Sequence, residues 1–233
     1  LMPLYLLAIA CVGLPLAPGI GIYHLVIALT SAFPFWIKFP ILGLAIAFGY
    51  FLFGFSLIFI IPAVNWLMRA NLKPWRGPYF SLEAVRWYIH NGLTYLVRFT
   101  FLEFITPTPF NVLFYKMMGM KIGDHTQINT SHISDPSLIE LGEKVTIGGS
   151  VTLIAHYGVG GYLVISPLKI GSGATIGLRA IIMGGVEIGE NARILPNSVV
   201  LPKTKIPAGE TWGGVPALKI EIKSSVIPET PQE

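Results

Sequence analysis

An aliphatic residue recurs at every sixth position in the C-terminal half of the chain. The series consists of Ile170, Ile176, Ile182, Ile188, Ile194, Val200 and Ile206, with Trp212 on the next step. An α-helix repeats about every 3.6 residues and a strand at every second residue, so neither explains this period. The period predicts a solenoid whose coil has three flat faces, each made of a short strand and a turn. The same register occurs earlier, at Ile122, Ile128, Leu141, Ile147 and Leu153.

Small or modest residues lie two positions before each aliphatic residue, where the corner of a narrow prism has little room. They are Ala174, Ala180, Val186, Ala192, Ser198 and Thr204. Gly171, Gly177 and Gly189 directly follow aliphatic residues, and we expect them to take the positive φ angles that a sharp corner can need. No coil can bury its apolar edge alone, so stacked coils should share one continuous core.

The period breaks between Leu153 and Ile170, which are 17 positions apart. The segment His156–Tyr162 occupies this interval and contains three glycines. We therefore predict a loop that leaves the solenoid. Insertions into solenoids often lie on the binding side.

The N-terminal part of the chain is apolar. Of the whole chain, 53% of the residues are hydrophobic and 12% are charged, and the first acidic residue is Glu83. Two segments are long enough to cross a membrane: residues 2–30, interrupted by Pro15 and Pro18, and residues 39–68. The first forms either one kinked span or a re-entrant piece. The chain starts with Leu, which is compatible with a start inside a longer protein.

Charge asymmetry around the second span predicts an orientation. Lys38 alone precedes the span, whereas Arg69, Lys73 and Arg76 follow it. The positive-inside rule then places the repeat region of an integral membrane protein on the cytoplasmic side.

Ser81–Ile105 has the pattern of an amphipathic helix. Its polar positions are Glu83, Arg86, His90, Asn91, Thr94 and Arg98. Beside a membrane span, such a helix is expected in the interface with its polar face toward water. Arg86, His90 and Arg98 would then contact lipid headgroups, or hold an anionic headgroup of a membrane substrate.

These patterns divide the chain into four regions. Residues 1–68 are predicted transmembrane helices, and residues 69–120 form a basic juxtamembrane segment with the amphipathic helix. Residues 121–222 form the repeat domain, and residues 223–233, which are polar and contain two prolines, form a loose tail.

The repeat resembles that of the hexapeptide-repeat acyltransferases. The matching stretches begin at Ile170, Ile176 and Ile188, and the last is Trp212–Ala217. The resemblance implies a mainly β fold, a left-handed parallel β-helix, here preceded by transmembrane helices and an interfacial helix. It also implies homotrimers with active sites shared between subunits. The superfamily includes O- and N-acyltransferases, nucleotidyltransferase tails and γ-type carbonic anhydrases.

His156 is the candidate general base by this resemblance, because it follows a coil and precedes an excursion as the base of galactoside-type acetyltransferases does. Imidazole can take up a proton at cellular pH. The alternative is a loop histidine bonded to the backbone. Asp135 could orient a histidine or cap a turn before Pro136, and His132 could form a second wall of the site or a coil corner.

Two tyrosines, Tyr157 and Tyr162, bound the predicted loop and are candidate contacts to substrate or lipid. Tyr157 stands where the family usually has proline. With three glycines and few polar groups, the loop suits a lipid-like or carrier-bound acceptor better than a sugar.

Metal and nucleic-acid functions have little support. The spacing of His125, His132 and His156 does not match the zinc ligands of γ-type carbonic anhydrases, and Cys11 is the only cysteine. The basic residues of the repeat are scattered, which is not typical of a nucleic-acid interface.

The resemblance also implies a site for the pantetheine arm of a thioester. The matching positions are Leu178, Arg179, Pro196, Leu201, Trp212, Gly214, Pro216, Ala217 and Lys219. Leu178 and Leu201 replace residues that are often Ser and Thr in relatives, whereas Arg179 and Lys219 could bind phosphate.

The wider layout is similar to the membrane-embedded C-terminal region of polylysine-synthetase-like, non-ribosomal peptide synthetase-type proteins, including the segments Phe114–Gly123 and Ser134–Gly142. We therefore expect a membrane-anchored acyltransferase that uses a CoA thioester. The alternatives are amide-bond formation from the phosphopantetheine thioester of a carrier protein, and a trimeric membrane scaffold without activity.

Overall fold

The computed structural model describes residues 2–221, so the predicted tail at 223–233 lies outside the described residues. The chain divides into two compact units. Among the described residues, the helical unit contains 2–72 and 81–119, and the repeat unit contains 73–80 and 120–221. The sequence analysis assigned residues 73–80 to the juxtamembrane region, whereas the structure groups them with the repeat unit.

The helical unit has four α-helices among its described residues. They are α1 (Met2–Leu29), α2 (Phe35–Leu67), α3 (Val85–Val97), continued by a π-helical turn at Arg98–Leu102, and α4 (Pro109–Met117). Helix α1 is continuous through Pro15 and Pro18, as expected for a single span rather than a re-entrant piece. Both α1 and α2 are long and apolar enough to cross a membrane. They pack closely at Gly19, where an added Cβ would lie 3.2 Å from the Cα of Gly49.

Only part of the predicted polar stripe around α3 faces water, where Glu83 and Arg86 are exposed. His90, Asn91 and Thr94 are buried. The Nδ1 atom of His90 lies 2.8 Å from Oδ1 of Asn65, and the amide of Asn65 donates to Asn71 over 2.7 Å. The prediction was wrong because a periodic pattern shows that one face is polar but not what covers it. Polar partners inside the helical unit satisfy this stripe.

The strands of the described chain are short. In chain order they are β1 (Trp75–Pro78), β2 (Lys121–Ile122), β3 (Gln127–Ile128), β4 (Ile133–Ser134), β5 (Ile139–Leu141), β6 (Thr146–Ile147), β7 (Thr152–Ile154), β8 (His156–Val159), β9 (Tyr162–Ile165), β10 (Leu168–Ile170), β11 (Thr175–Ile176), β12 (Ile181–Ile182), β13 (Glu187–Ile188), β14 (Arg193–Ile194), β15 (Val199–Val200), β16 (Lys205–Ile206), β17 (Thr211–Gly213) and β18 (Leu218–Lys219).

Three sheets form the faces of the solenoid. The first has the order β16-β13-β10-β5-β2, the second β18-β17-β14-β11-β6-β3, and the third β15-β12-β7-β4. Their ladders are parallel except for the closing pair β17–β18. Ile170 lies beside Ile188, and Ile176 beside Ile194, so a regular coil advances by three hexapeptides. The aliphatic series is buried in one core, as the period predicted.

The corner glycines have a different role from the one predicted. Gly171, Gly177 and Gly189 are not among the residues with positive φ. An added Cβ would lie 2.7 Å from the Glu190 nitrogen at Gly171, and 2.5 Å from the Pro196 nitrogen at Gly177. These positions exclude a side chain because the next coil stacks on them. The positive φ angles occur instead at Gly173, Arg179, Gly185, Asn191, Asn197, Lys203 and Gly209.

The first face carries alternating charges across its coils, which we call the charge ladder. Its members, in register, are Lys121, Glu140, Lys169, Glu187 and Lys205. The ammonium group of Lys121 lies 2.7 Å from Glu140, and that of Lys205 lies 3.3 Å from Glu187. The hydrogen bond from Lys121 lowers the pKa of Glu140, and Lys169 adds to the effect. The third face has Thr152, Ile181 and Val199 at the corresponding positions and carries no such ladder.

The excursion between Leu153 and Ile170 is a β-hairpin. Strands β8 and β9 are antiparallel and are joined by Gly160 and Gly161, both with positive φ, as a two-residue hairpin turn requires. Strand β1 pairs with β9 and completes a three-stranded sheet. A loop was predicted here, and the pairing with β1 was missed.

Candidate functional site

His156 lies where the chain leaves the third face to enter the hairpin. The backbone nitrogen of Ser166 donates to the carbonyl of Ala155 over 2.8 Å and closes the base of the hairpin. The next coil stacks on the same point, because an added Cβ at Gly184 would lie 3.0 Å from the His156 nitrogen. The backbone of His156 is therefore held by the hairpin and by the neighbouring coil.

Asp135 reaches His156 from the preceding coil. Strand β4 pairs with β7 so that Ser134 lies beside Ile154, and Asp135 follows in the left-handed region at φ 60°. Its Oδ2 atom lies 2.5 Å from Nδ1 of His156. Asp135 is fully buried, and the His156 side chain is 20% exposed. A buried carboxylate requires such a partner.

The pair fixes the orientation of the imidazole ring. When Asp135 is ionised, its carboxylate can only accept hydrogen bonds, so Nδ1 of His156 then donates and Nε2 carries the lone pair of the neutral ring. A base held by a third group in this way can take a proton from a hydroxyl or an amine. This joins two of the candidates from the sequence, His156 and Asp135.

His132 belongs to the coil wall. Its carbonyl accepts from the Leu153 nitrogen over 3.0 Å, and its backbone nitrogen donates to the Thr130 hydroxyl over 3.0 Å. Its Nδ1 atom lies 3.4 Å from the same hydroxyl. These contacts fit the coil-corner interpretation.

Tyr157 and Tyr162 lie on the opposite face of the hairpin from His156. Side chains alternate along a strand, so Tyr157 points away from the face that His156 and Gly158 share. Val159 pairs with Tyr162 and shares the face of Tyr157. The guanidinium of Arg76 lies 5.3 Å from the centre of the Tyr162 ring. Both tyrosines thus lie away from the face of His156, and their contact with substrate or lipid stays a prediction.

Several predicted thioester positions form a column along the corner between the second and third faces. The Asn197 nitrogen, next to Pro196, donates to the Leu178 carbonyl over 2.8 Å, and the Val199 nitrogen donates to the carbonyl of Gly214 over 3.0 Å. Leu178, Arg179 and Pro196 are exposed along this column. Leu201 is also exposed, but it follows β15 at the other end of the third face.

The remaining thioester positions lie at the last coil. The ammonium group of Lys219 lies 2.6 Å from Glu210, and the indole of Trp212 donates to the same carboxylate over 2.8 Å. The two hydrogen bonds, the larger effect from Lys219, lower the pKa of Glu210, and Glu210 raises the pKa of Lys219. Lys219 is thus paired with a carboxylate, and its contact with phosphate stays a prediction. Pro216 follows a cis peptide bond, and Ala217 is buried.

Of the charged candidates in the helical unit, Arg86 is exposed and Arg98 lies 5.1 Å from the centre of the Phe99 ring. His90 is fully buried, so its predicted contact with lipid headgroups was wrong. Within residues 2–221, no three His, Cys, Asp or Glu side chains come together in a group that could hold a metal ion.

Sequence analysis did not find Trp75 and Tyr79 near the hairpin that His156 begins. Strand β1 has four residues and no apolar periodicity, and it ends in a proline. In the structure, proline is compatible with the edge position of β1. In sequence analysis, however, a proline lowers the expectation of a strand.

Comparisons with known proteins agree with the repeat. The family model for bacterial transferase hexapeptide (six repeats) matches residues 167–202. Delta-poly-L-ornithine synthetase of Acinetobacter baumannii is 21% identical over 171 residues, which are 72% of this chain and 13% of that protein. The putative acetyltransferase YvoF of Bacillus subtilis is 27% identical, over 60% of this chain and 86% of that protein.

Two further proteins match in part. Gamma carbonic anhydrase 2 of Arabidopsis thaliana is 36% identical over 90 residues, which are 37% of this chain and 32% of that protein. The hexapeptide-repeat acetyltransferase VCA0836 of Vibrio cholerae, solved with acetyl coenzyme A, has a TM-score of 0.48 and 22% identity over 66% of this chain and 96% of that chain. The chain thus spans small parts of the synthetase and the anhydrase. Through its repeat unit, the chain belongs to the hexapeptide-repeat, left-handed β-helix acyltransferase superfamily.

Proposed function

We propose that the chain is a membrane-anchored acyltransferase that moves an acyl group from a CoA-type thioester to a hydroxyl or amine. The observation that carries this proposal is the contact between His156 and the fully buried Asp135 at the base of the hairpin. Structural ion pairs on the surface of the solenoid, such as Lys121–Glu140, involve exposed groups. A buried carboxylate that orients a partly exposed histidine is instead suited to proton transfer.

The reaction assigns one role to each group. Nε2 of His156 takes the proton from the acceptor as its oxygen or nitrogen attacks the thioester carbonyl carbon. The tetrahedral intermediate then breaks its C–S bond, and the leaving thiolate takes the proton from His156. Asp135 holds the ring and stabilises the imidazolium between these steps. The thioester is a substrate, and the products are the acylated acceptor and a free thiol.

The exposed column of Leu178, Arg179 and Pro196 is the proposed surface for the donor. Leu178 and Pro196 offer apolar contact to a pantetheine arm, and Arg179 offers a positive charge to phosphate. Hydrogen bonds join Glu210 to Trp212 and Lys219 in the last coil.

A homotrimer is part of the proposal. The first face, with its charge ladder, suits water, whereas the third face is largely uncharged and leads to His156. Packing the uncharged sides around a threefold axis would bring a second subunit to each site. Mass photometry in mild detergent tests this arrangement, and a monomer as the sole species would contradict a shared site.

The proposed membrane anchor consists of α1 and α2. Their mean hydropathies are 2.0 and 2.5, and large apolar side chains such as Leu14, Leu44 and Trp66 are exposed. A helix buried in a soluble core would hide such side chains, whereas lipid accommodates them.

A second candidate function is amide-bond formation from a carrier-bound thioester. The match to the ornithine synthetase covers 72% of the chain. The repeat unit makes up a smaller share of the chain than this, so the match must extend into the helical unit. In this version the donor is an aminoacyl phosphopantetheine thioester and the acceptor is an amine.

One experiment separates these functions. The purified chain is incubated with membrane lipid extract and either acetyl coenzyme A or an aminoacyl-loaded carrier protein, and products are identified by mass spectrometry. Products that are lost in both His156→Ala and Asp135→Asn support catalysis by this pair. The donor that gives products shows whether the chain uses a CoA thioester or a carrier-bound thioester. Unchanged thioesters with both donors would support the inactive scaffold.

A further inference from the structure

The three-stranded sheet of the hairpin has one face that includes the side chain of His156. Alternation along β8 places His156 and Gly158 on this face. In the ladder, His156 lies beside Ile165 and Ile165 beside Trp75, and Gly158 lies beside Leu163 and Leu163 beside Gly77. Residues directly opposite in neighbouring strands share a face. We call this surface the His156 face.

Two glycines on the His156 face leave room for aromatic side chains. The six-membered ring of Trp75 occupies the position that a Cβ of Gly77 would take. The hydroxyl of Tyr79 occupies the corresponding position at Gly158. Any larger residue at Gly77 or Gly158 would displace one of these groups. Leu163, between the two glycines, is fully buried.

The hydroxyl of Tyr79 therefore has a defined place relative to the Cβ of His156. Gly158 is two residues from His156 on the same face, and side-chain positions with this spacing are about 7 Å apart along a strand. A phenol hydroxyl can both donate and accept a hydrogen bond. The separation is suited to a small molecule whose nucleophile meets His156 while a second polar group meets Tyr79.

We propose that Tyr79 binds the acceptor and that Trp75 packs against the acceptor's apolar part. This inference rests on the proposed acyltransferase function and adds a substrate class to it. The acceptor is an amine or alcohol with an apolar body and a second polar group next to its nucleophile. Strand β1 thereby has a function, because it carries Trp75 and directly precedes Tyr79.

The test compares two amines that differ in one hydroxymethyl group, phenylalaninol and phenethylamine, with acetyl coenzyme A as the donor. The full chain in detergent is assayed for thiol release with water alone and with each amine. The wild type should prefer phenylalaninol in kcat/KM by about tenfold, the scale of one hydrogen bond. Tyr79→Phe should remove this preference through KM.

A second variant and a control complete the design. Gly158→Ala places a methyl group where the Tyr79 hydroxyl lies and should reproduce the loss. Tyr50→Phe removes a hydroxyl that donates to the Thr100 carbonyl over 3.0 Å in the helical unit and should keep the preference.

The outcomes separate the two levels of the proposal. Equal use of both amines by the wild type, or an unchanged preference in Tyr79→Phe, overturns the inference while His156-dependent thiol release leaves the acyltransferase intact. If His156→Ala releases thiol as fast as the wild type under all three conditions, the proposed function is wrong and the inference falls with it.

Discussion

Nδ1 of His156 lies 2.5 Å from Oδ2 of Asp135, although the two residues are 21 positions apart in the chain. Neighbouring coils bring them together, and the solenoid itself therefore builds the pair. Catalysis should depend on this pair more than on the nearby His132.

His156→Ala should lower acyl transfer by about 10²–10⁴-fold, because a positioned general base contributes on this scale. The fold should persist, since the side chain lies at the solenoid edge and is partly exposed. His132→Ala is the matched control and should keep most of the activity. Single-turnover transfer measures both, and near wild-type transfer by His156→Ala with an inactive His132→Ala would reverse the assignment.

Gly177→Ala and Gly92→Ala should change stability in opposite directions. A Cβ at Gly177 would lie 2.5 Å from the Pro196 nitrogen in the next coil, so overpacking should destabilise the repeat by about 1–3 kcal/mol. A Cβ at Gly92 in α3 would meet no atom within 4 Å, so the variant should gain up to about 1 kcal/mol of helix propensity. Thermal unfolding followed by circular dichroism measures both, and a stabilised Gly177→Ala would show that the coils have room to separate.

Glu210→Gln should destabilise the last coil in a pH-dependent way. The folded-state pKa of Glu210 is lowered, chiefly by its hydrogen bond to Lys219 and also by the Trp212 indole. A lowered carboxyl pKa stabilises the folded protein above the unfolded pKa, and this effect is lost as the pH falls through the folded pKa. The difference in Tm between the wild type and the variant should thus be largest near neutral pH and shrink in acid. A difference that grows in acid would contradict the pairing.

The repeat unit should lie on the cytoplasmic side of the membrane. In a Cys11→Ser background, a cysteine replacing the exposed Ala208 should react with an impermeant maleimide only after cells are permeabilised. A cysteine replacing Ser31, in the exposed connection between α1 and α2, is the control and should react in intact cells. The reverse pattern would invert the topology.

Much of the repeat could be predicted from the sequence, because every coil must place an aliphatic residue inward at each strand. The break in this period also located His156. The contact of His156 with Asp135 could not be derived from spacing, since a 3₁₀ turn at Pro136–Leu138 and the hairpin change the number of residues in those coils.

Two other features escaped prediction for physical reasons. Strand β1 is too short to show a period, so the positions of Trp75 and Tyr79 depend on a pairing between distant segments. His90 is buried because it contacts Asn65 of α2, which in turn donates to Asn71. Helical periodicity does not reveal such polar partners.

The charge ladder limits how this solenoid can change length. Glu187 separates Lys169 from Lys205, and Glu140 separates Lys121 from Lys169. Deleting the coil that carries Glu187 would place Lys169 beside Lys205, and like charges directly opposite are destabilising. Removal or duplication of two coils together preserves the alternation. Inside the ladder, coils can therefore be removed or duplicated without a like-charge contact only in pairs.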